Sequence, residues 1–384
     1  MSRQNQLLMW ILIIGVFGIL TTEMGVIGIL PFVADHFHVS VSQAGLLVSL
    51  FALVVAGSGP TMPMLFSGIN RKKVMLLVLG VFVLGNIVSL FATNFAVALI
   101  ARVVPAFFHP IYCSLAFTTA AASVSKEEAP KAVSKIIMGV SAGMVLGVPI
   151  TSFITSHASY EMAMLFFAVV NAVAFLATWL WVPSMPVQDQ PSYREQVFVL
   201  KKATVWLSIA AAILINAAVF GVYSYLSEYL KTVTNMSWDA ISFMLVLYGA
   251  ANLIGNFAAG KLLTRYAFRS IAVFPFALGA VYILLFFLGH FVVAMSFVVF
   301  LWGILAGMGT NYGQYWIASA APEAPDFANG LFLTSANVGT TIGTAAGGFL
   351  ISAIGTQYVV FVGYLALILC AAFIFMRNRT ESTS

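Results

Sequence analysis

The sequence predicts an all-helical membrane protein whose twelve transmembrane helices form two pseudo-symmetric six-helix bundles. Three observations support this fold class: the composition, the lengths of the apolar runs and a weak internal repeat. Hydrophobic residues make up 61% of the 384-residue chain, charged residues make up 8%, and the mean hydropathy is +1.02. Because soluble proteins carry charges on about a quarter of their residues, this composition indicates a chain embedded in a lipid bilayer.

The apolar runs set the number of spans. Each run is about 20 residues long, the length that an α-helix needs to cross the hydrocarbon core of a bilayer, and short polar breaks separate the runs. They predict spans 1 to 12 at residues 9–32, 43–66, 74–91, 95–123, 132–155, 162–182, 203–229, 240–263, 271–288, 292–320, 328–354 and 358–376. An even number of spans places both chain ends on the same side of the membrane.

The basic residues predict which side that is. The chain has 17 Lys and Arg residues, and all except Lys231 and Arg102 fall near the chain ends or the even-numbered breaks. Loops rich in Lys and Arg stay in the cytoplasm, so both termini are expected there. The net charge of +5 is dispersed over short loops without a nucleic-acid-binding motif, and no nucleic-acid partner is expected.

The longest break divides the chain into two halves. It is polar and contains prolines, unlike the sequence on either side of it. We therefore predict an N-terminal six-helix bundle at 1–182, a cytoplasmic linker at 183–202 and a C-terminal six-helix bundle at 203–384. When the halves are aligned at an offset of about 196 residues, glycines in span 5 match glycines in span 11. Such consistent spacing is typical of the parallel repeats of secondary transporters.

These matching glycines suggest a moving contact. Glycines four residues apart form a smooth face that another helix can approach closely, and a proline can bend its helix. One such face alone indicates packing, but its recurrence favours a paired hinge or sliding contact between the halves. The candidate hinge residues are Gly139, Gly143, Gly147, Pro149, Gly339 and Gly343.

A single carboxylate, Glu23, lies inside the apolar run of span 1. A charged side chain near the bilayer centre costs at least ~2.5 kcal/mol on insertion scales, so it is expected to face the protein interior or a water-filled path. Burial disfavours the charged form of a carboxylate and thereby favours proton uptake. Glu23 is the first candidate proton carrier; the alternative is that it forms hydrogen bonds between helices and only specifies packing.

Span 4 offers a possible partner for this carboxylate, Arg102, and a second ionisable candidate, His109, for the proton path or for contact with the substrate. Arg102 lies about two turns inside the span, and His109 follows seven residues later on nearly the same face. An arginine in a membrane needs a partner, so we propose that Arg102 and Glu23 interact directly or through water. The alternatives are that Arg102 extends toward an interface or binds backbone carbonyls, and that His109 is a core histidine with satisfied hydrogen bonds.

The second half offers amides and aromatic rings instead of buried acids. Such side chains, lining a cavity at the bilayer midplane, could form hydrogen bonds with a small organic substrate and stack on it. For any one asparagine, a hydrogen bond between helices is the simpler explanation. The candidates are Asn216, Tyr223 and Tyr225 in span 7, Asn252 and Asn256 in span 8, Trp302, Asn311 and Gln314 in span 10, and Asn337 in span 11.

Sequence patterns of enzymes and of metal sites are missing. The chain contains no HExxH or GxSxG pattern, and no GxxxxGK[ST] pattern that would indicate direct use of ATP. Its two cysteines, Cys113 and Cys370, lie far apart in apolar segments and suggest neither a disulfide nor a metal site. We therefore expect no enzymatic activity, no cofactor and no metal.

The residues described above carry a resemblance to a known family. The TTE segment ending at Glu23, Arg102 followed by an FFHP segment, and the glycine-rich span 5 resemble the major facilitator superfamily. Within it, they look like the bacterial twelve-helix drug:proton antiporter branch, which includes sugar, purine and arabinose-type efflux permeases. The resemblance covers essentially the whole chain. It implies a multi-pass protein of the inner (cytoplasmic) membrane of a bacterium, and a monomer is expected.

Two signatures of that family are incomplete in this sequence. Ser67, after span 2, and Thr264, after span 8, stand where the gating signature has acids. In span 5, Val148 precedes Pro149 and no glycine pair follows, unlike the antiporter signature. A cytoplasmic gate built on those acids is therefore not expected, and the prediction of export depends on the overall similarity.

These patterns together predict a secondary active transporter. It would export a small organic molecule, such as a drug, a sugar or a nucleoside-like metabolite, in exchange for protons by alternating access. Glu23 would bind a proton or permit substrate binding, but not both. The alternatives are a proton-coupled uptake symporter, since a fold does not decide direction, and a membrane receptor that does not transport its ligand.

Overall fold

The computed structural model describes residues 3–125, 128–185 and 196–382, and regular structure in these ranges is helical. The first half contains α1 (Arg3–Gly25), a 3₁₀ turn (Val26–Ile29), α2 (Leu30–Phe37), α3 (Val41–Ala44), α4 (Leu46–Ser58), α5 (Met62–Leu65), α6 (Arg71–Leu90), α7 (Phe95–Ala122), α8 (Ala129–His157) and α9 (Tyr160–Trp181). The second half contains a 3₁₀ turn (Gln196–Lys201), α10 (Ala203–Tyr223), α11 (Leu226–Thr232), α12 (Trp238–Leu288), α13 (Val292–Ala320), α14 (Pro325–Ile354), a 3₁₀ turn (Thr356–Val359) and α15 (Val360–Ser382).

The number of spans agrees with the prediction. Within the described ranges, eleven helices are long and apolar enough to cross a membrane. Helix α12 has 51 residues, which at 1.5 Å per residue makes it roughly 77 Å long, more than twice the ~30 Å of a bilayer core. Its backbone leaves helical geometry at Tyr266, where φ is −141° and ψ is 37°. Helix α12 therefore carries spans 8 and 9, and the all-helical fold with twelve spans is confirmed.

Span 2 ends earlier than predicted. The sequence suggests an apolar run to residue 66, but α4 ends at Ser58. Pro60 explains the difference, because a proline lacks the backbone N–H and disfavours helical geometry in the residue before it. Beyond it, the short helix α5 covers only Met62–Leu65.

The contacts of the chain divide it into two compact units. The first is Met1–Val39 with Gly57–Pro191, and the second is Ser40–Ala56 with Ser192–Ser384. Span 2 thus groups with the second unit, inside which the Thr341 hydroxyl donates a 3.2 Å hydrogen bond to the Ser49 carbonyl. The predicted domain boundaries stay a prediction, and residues 186–195 of the predicted linker lie outside the described residues.

The glycines of span 5 bring its backbone close to span 1. A Cβ built at Gly143 would lie 2.8 Å from the Leu20 Cβ, and one built at Gly147 would lie 3.0 Å from the Thr21 Cα. Gly139, one turn before Gly143 in span 5, also contacts span 1, where its added Cβ would lie 3.1 Å from the Ile13 carbonyl oxygen. The contact is possible because glycine has no side chain to hold the helices apart.

The glycines of span 11 pack in the same way on span 7. A Cβ at Gly339 would lie 2.8 Å from the Asn216 Cβ, and one at Gly343 would lie 2.9 Å from the Ala217 Cα. Pro149 lies inside α8, which continues past it. The glycine contacts thus lie within each unit and join spans 5 and 1 or spans 11 and 7, and the hinge role of the glycines stays a prediction.

Span 1 is interrupted just after its carboxylate. Helix α1 ends at Gly25, a 3₁₀ turn follows, and Pro31 lies at the start of the next helix, α2. The last four carbonyls of an α-helix lack partners inside that helix, and in α1 these belong to residues 22–25. The interruption therefore leaves backbone carbonyls beside Glu23 without hydrogen-bond partners inside α1.

Candidate functional site

The candidate site of the first unit is a buried pair formed by Glu23 and His109. Each residue is only 8% exposed, and the Nε2 atom of His109 lies 3.0 Å from the Oε2 atom of Glu23. A carboxylate without a partner at this depth would lose its hydration at a cost of several kcal/mol. The imidazole compensates that loss, either as a cation paired with the anion or as a neutral ring that shares one proton with the carboxyl group.

Helix α7 determines where the imidazole lies. It spans 28 residues and contains Pro105 and Pro110, the second directly after His109. The Sγ atom of Cys113, one turn further along, lies 3.9 Å from His109 Nε2. One nitrogen thus faces both the carboxylate of span 1 and a thiol of its own helix.

Arg102 contacts Glu23 through the backbone. Its Nη1 atom donates to the Thr22 carbonyl at 2.9 Å, and its Nη2 atom donates to the Glu23 carbonyl at 2.5 Å. These carbonyls belong to the last turn of α1, where acceptors lack helical partners and a positive charge is favoured. These bonds fit the alternative of binding to backbone carbonyls, and an interaction of Arg102 with the Glu23 carboxylate stays a prediction. Arg102 thereby fixes the helix end that carries Glu23.

A polar network that the sequence analysis missed joins spans 1, 3 and 6 at Thr22, the residue before Glu23. The side-chain amide of Asn171 in span 6 donates to the Thr22 hydroxyl at 2.9 Å, and that of Asn86 in span 3 reaches the same oxygen at 3.5 Å. The Thr22 hydroxyl donates to the Gly18 carbonyl at 2.9 Å. The signal was present in the sequence, since an asparagine inside an apolar span marks an interhelical hydrogen bond.

The pair can hold one proton on either partner without leaving a charge unpaired. If Glu23 gains a proton, the carboxyl group can still donate a hydrogen bond to a neutral His109; if it loses one, a protonated His109 can balance the charge. These two arrangements carry the same number of protons, so the pair as a whole holds one proton in both.

In the second unit, two predicted aromatic residues come together with two that the sequence analysis missed. The rings of Tyr223 and Tyr248 are stacked, with centroids 4.3 Å apart and planes 15° from parallel. Trp302 lies edge-on to Tyr248 at 5.3 Å and to Tyr282 at 5.7 Å. All four rings are buried. In the sequence, Tyr248 and Tyr282 resemble ordinary core residues of apolar spans, so no signal distinguished them.

Three predicted asparagines form a chain between spans 8 and 10. Asn311 donates to Asn256 at 2.6 Å, and Asn256 donates to Asn252 at 3.2 Å. The helices approach closely here, since a Cβ at Gly303 would lie 2.7 Å from the Ala251 Cβ. All three amides are partly exposed, so the chain offers polar atoms beside a tight helix contact.

The other predicted substrate residues bond elsewhere. Asn216 donates to the Ala212 carbonyl and Asn337 to the Leu333 carbonyl, each at 2.9 Å within its own helix. The Tyr225 hydroxyl donates to the Thr344 carbonyl at 2.9 Å, which joins spans 7 and 11. Gln314 donates to Asn329 at 3.3 Å. These bonds fit structural roles within the second unit, and a role in substrate binding stays a prediction for all four residues.

Known proteins match this chain along nearly its whole length. An Escherichia coli K12 protein named inner membrane transport protein YdhP is 29% identical over 373 residues, which cover 96% of this chain and 95% of that one. A probable sugar efflux transporter of Helicobacter pylori P12 is 28% identical over 347 residues, which cover 89% and 88% of the two chains.

Solved structures show the same fold. A mutant form of the nucleoside transporter NupG superposes with a TM-score of 0.79 at 15% identity, over 98% of this chain and all of that one. The inward-facing, unoccupied structure of a bacterial homolog of the human lysosomal transporter Spinster superposes with a TM-score of 0.78 at 18% identity, over 99% of this chain and 98% of that one. The family model named Major Facilitator Superfamily matches residues 12–324 and 209–384. The resemblance noted in the sequence is thus confirmed, and the chain belongs to the major facilitator superfamily of membrane transporters, which are not enzymes.

Proposed function

We propose that this transporter exports a small organic molecule in exchange for protons, with Glu23 and His109 as the proton-coupling pair. The observation that carries the proposal is the 3.0 Å contact between the two side chains, both of them buried in the first unit. A buried carboxylate in a membrane span is costly and is retained for function in most cases. Here it faces an imidazole, the side chain whose charge changes most readily near neutral pH.

The proposed substrate is a polar molecule with a flat face, such as a sugar or a nucleoside-like metabolite. The relatives named probable sugar efflux transporters support this class. The second unit supplies polar groups that match this class, the partly exposed amides of Asn252, Asn256 and Asn311, which can bind hydroxyl groups. Stacking of the substrate on Tyr223 or Trp302 would require these buried rings to become accessible during the transport cycle. Sugar and nucleoside sites commonly combine an apolar surface with a few placed hydrogen-bonding groups.

Proton movement in inside-out vesicles tests the coupling and its direction. Respiration acidifies the vesicle interior, and a pH-sensitive dye reports the gradient while sugars, nucleosides and cationic drugs are added one at a time. A substrate of an antiporter enters as protons leave, so the gradient collapses. A substrate of a symporter makes the interior more acidic. Deepening of the gradient on addition of a transported compound would exclude the proposed exchange.

The variant Glu23→Gln tests the residue. It keeps the size of the side chain and its ability to form hydrogen bonds, but it cannot exchange a proton, so substrate-induced collapse of the gradient should be lost. The matched control is Glu161→Gln, because Glu161 also faces a histidine, His36 at 3.6 Å, but is 43% exposed. Full exchange in Glu23→Gln would eliminate the proposed proton role.

We also propose that the protein is a monomer in the cytoplasmic membrane with both termini in the cytoplasm. The distribution of Lys and Arg supports this orientation. Fusions of a reporter enzyme that is active only outside the cytoplasm test it: a fusion after Ser384 should be inactive, whereas one in the loop between α11 and α12 should be active.

A further inference from the structure

A groove of about 310 Å³ lies between spans 9 and 10 of the second unit. Its walls are almost entirely apolar. Span 9 contributes Val273, Phe274 and Ala277, and span 10 contributes Leu305 and Met308. From Val273 to Ala277 the lining residues are four positions apart, which places them on one face of the helix.

The span 9 side of this groove faces outward. Val273 is 60% exposed, and Phe276 and Phe287, on the same stripe of the helix, are 70% and 69% exposed. In a membrane-spanning helix, large apolar side chains that the protein leaves uncovered contact the acyl chains of the lipid. Hydrocarbon is thus the solvent at the mouth of the groove, and an acyl chain matches its walls.

One end of the groove is basic. Arg269 lines it together with Tyr266 and Ser270, and Lys261 and Arg265 lie two turns and one turn before Arg269 in the sequence. All three basic side chains are exposed, and none forms an ion pair with another described residue. Residues 240–290 contain no Asp or Glu. Among the described residues, the positive charge at this end thus has no acidic partner.

We propose that this groove binds one anionic phospholipid, with an acyl chain between spans 9 and 10 and the headgroup phosphate on Arg269. A guanidinium can hold phosphate oxygens through two parallel hydrogen bonds. Lys261 and Arg265 add charge beside it, and basic pockets between transmembrane helices are known to bind anionic headgroups. The kink at Tyr266, which turns the chain from span 8 into span 9, places these cations beside the end of the groove.

The test measures lipid binding to purified, delipidated protein. Phosphatidylglycerol and phosphatidylcholine with the same acyl chains are titrated separately, and binding is followed by native mass spectrometry. We expect tighter binding of phosphatidylglycerol, and a roughly fivefold weaker affinity for it in Arg269→Gln, since one basic residue near the surface contributes about 1 kcal/mol to such binding. The control Lys231→Gln removes one positive charge from the last turn of α11, which does not line the groove, and should leave the affinity unchanged.

The variant Ala277→Phe tests the position of the acyl chain. Its added ring would fill the groove without changing the charge, so binding of phosphatidylglycerol should weaken. A photoreactive phosphatidylglycerol should label peptides of spans 9 and 10 in the unmodified protein, which also tests the site without any variant. Equal affinity for the two lipids, unchanged binding in Arg269→Gln, or labelling only at other spans would each overturn the proposal.

Discussion

At the scale of single residues, span 4 makes two different contacts with span 1: His109 contacts the side chain of Glu23, and Arg102 donates to backbone carbonyls. The sequence alone could not assign these contacts. Both Arg102 and His109 lie on one face of span 4, so helical periodicity brings both toward span 1. The structure shows the imidazole beside the carboxylate and the guanidinium donating to the carbonyls of Thr22 and Glu23. His109 is accordingly the proposed proton partner, and Arg102 is the proposed positioning residue.

The variant His109→Gln tests this division of roles. Glutamine can still donate a hydrogen bond to Glu23, but it cannot become a cation. Substrate-induced collapse of the pH gradient should fall at least tenfold, as expected when an ionised partner of a buried charge is removed at a cost above about 1.4 kcal/mol. The double variant with Glu23→Gln should be no worse than either single one, because the two residues act as a unit. Independent, additive losses would show that they act separately.

The variant Arg102→Lys tests the positioning role. Lysine keeps the charge but lacks the planar fork that donates to two adjacent carbonyls. We expect a loss of about 1 kcal/mol of stability, the usual size of interhelical hydrogen bonds in membranes, seen as a lower midpoint of thermal unfolding in detergent. The dependence of transport on pH should also change, because the helix end carrying Glu23 is released. Unchanged stability and pH dependence in this variant would contradict the positioning role.

At the scale of elements, the contact between spans 1 and 5 depends on the absence of side chains at three glycines. Elsewhere in a helix, replacing glycine by alanine stabilises it by up to about 1 kcal/mol. At Gly143 the new Cβ would lie 2.8 Å from the Leu20 Cβ and 2.9 Å from the Phe17 carbonyl oxygen. That overlap would force the two spans apart.

We therefore expect opposite effects of the same substitution at two glycines. Gly143→Ala should lower the midpoint of thermal unfolding and reduce transport. Gly330→Ala, in helix α14 with no neighbouring atom within 4 Å of the added Cβ, should leave the midpoint unchanged or raise it. A stabilising effect at Gly143 would show that the spans are not in tight contact there.

Span 12 is fixed by a buried cation that the sequence analysis assigned only to topology. Arg377 is fully buried, its guanidinium lies 3.8 Å from the centroid of the Trp316 ring, and Nη2 donates to the Ser319 hydroxyl at 2.9 Å. Phe268 packs edge-on against the same indole at 5.7 Å. This cluster joins spans 9, 10 and 12.

Removing that cation should loosen the second unit. A desolvated cation over an indole contributes about 2 kcal/mol, so Arg377→Ala should lower the midpoint of thermal unfolding by several degrees. The control is Arg379→Ala, two residues away, whose guanidinium lies over Phe375 of the same helix. The contact between Arg379 and Phe375 therefore lies within span 12, whereas that of Arg377 with Trp316 joins span 12 to span 10. Equal effects of the two variants would show that the cluster does not hold the spans together.

At the scale of the whole molecule, the sequence predicted the fold and the family because both depend on hydropathy, loop charge and spacing. It located Glu23, Arg102 and His109 because ionisable residues are conspicuous in an apolar span. It could not determine which side chain would face the carboxylate, because that depends on side-chain reach and on the break after Gly25. Asn171, Tyr248 and Tyr282 escaped notice because their residue types are common in helix contacts.

The central claim is that Glu23 exchanges a proton while paired with His109, and infrared spectroscopy of the purified protein tests it without knowledge of the substrate. Difference spectra between mildly alkaline and mildly acidic buffer should show a carboxylic acid band from a buried environment. The account predicts that this band is lost in Glu23→Gln, shifts in His109→Gln and persists in Glu161→Gln. A band that survives in Glu23→Gln, or a wild-type spectrum with no titrating buried carboxyl group, would contradict it.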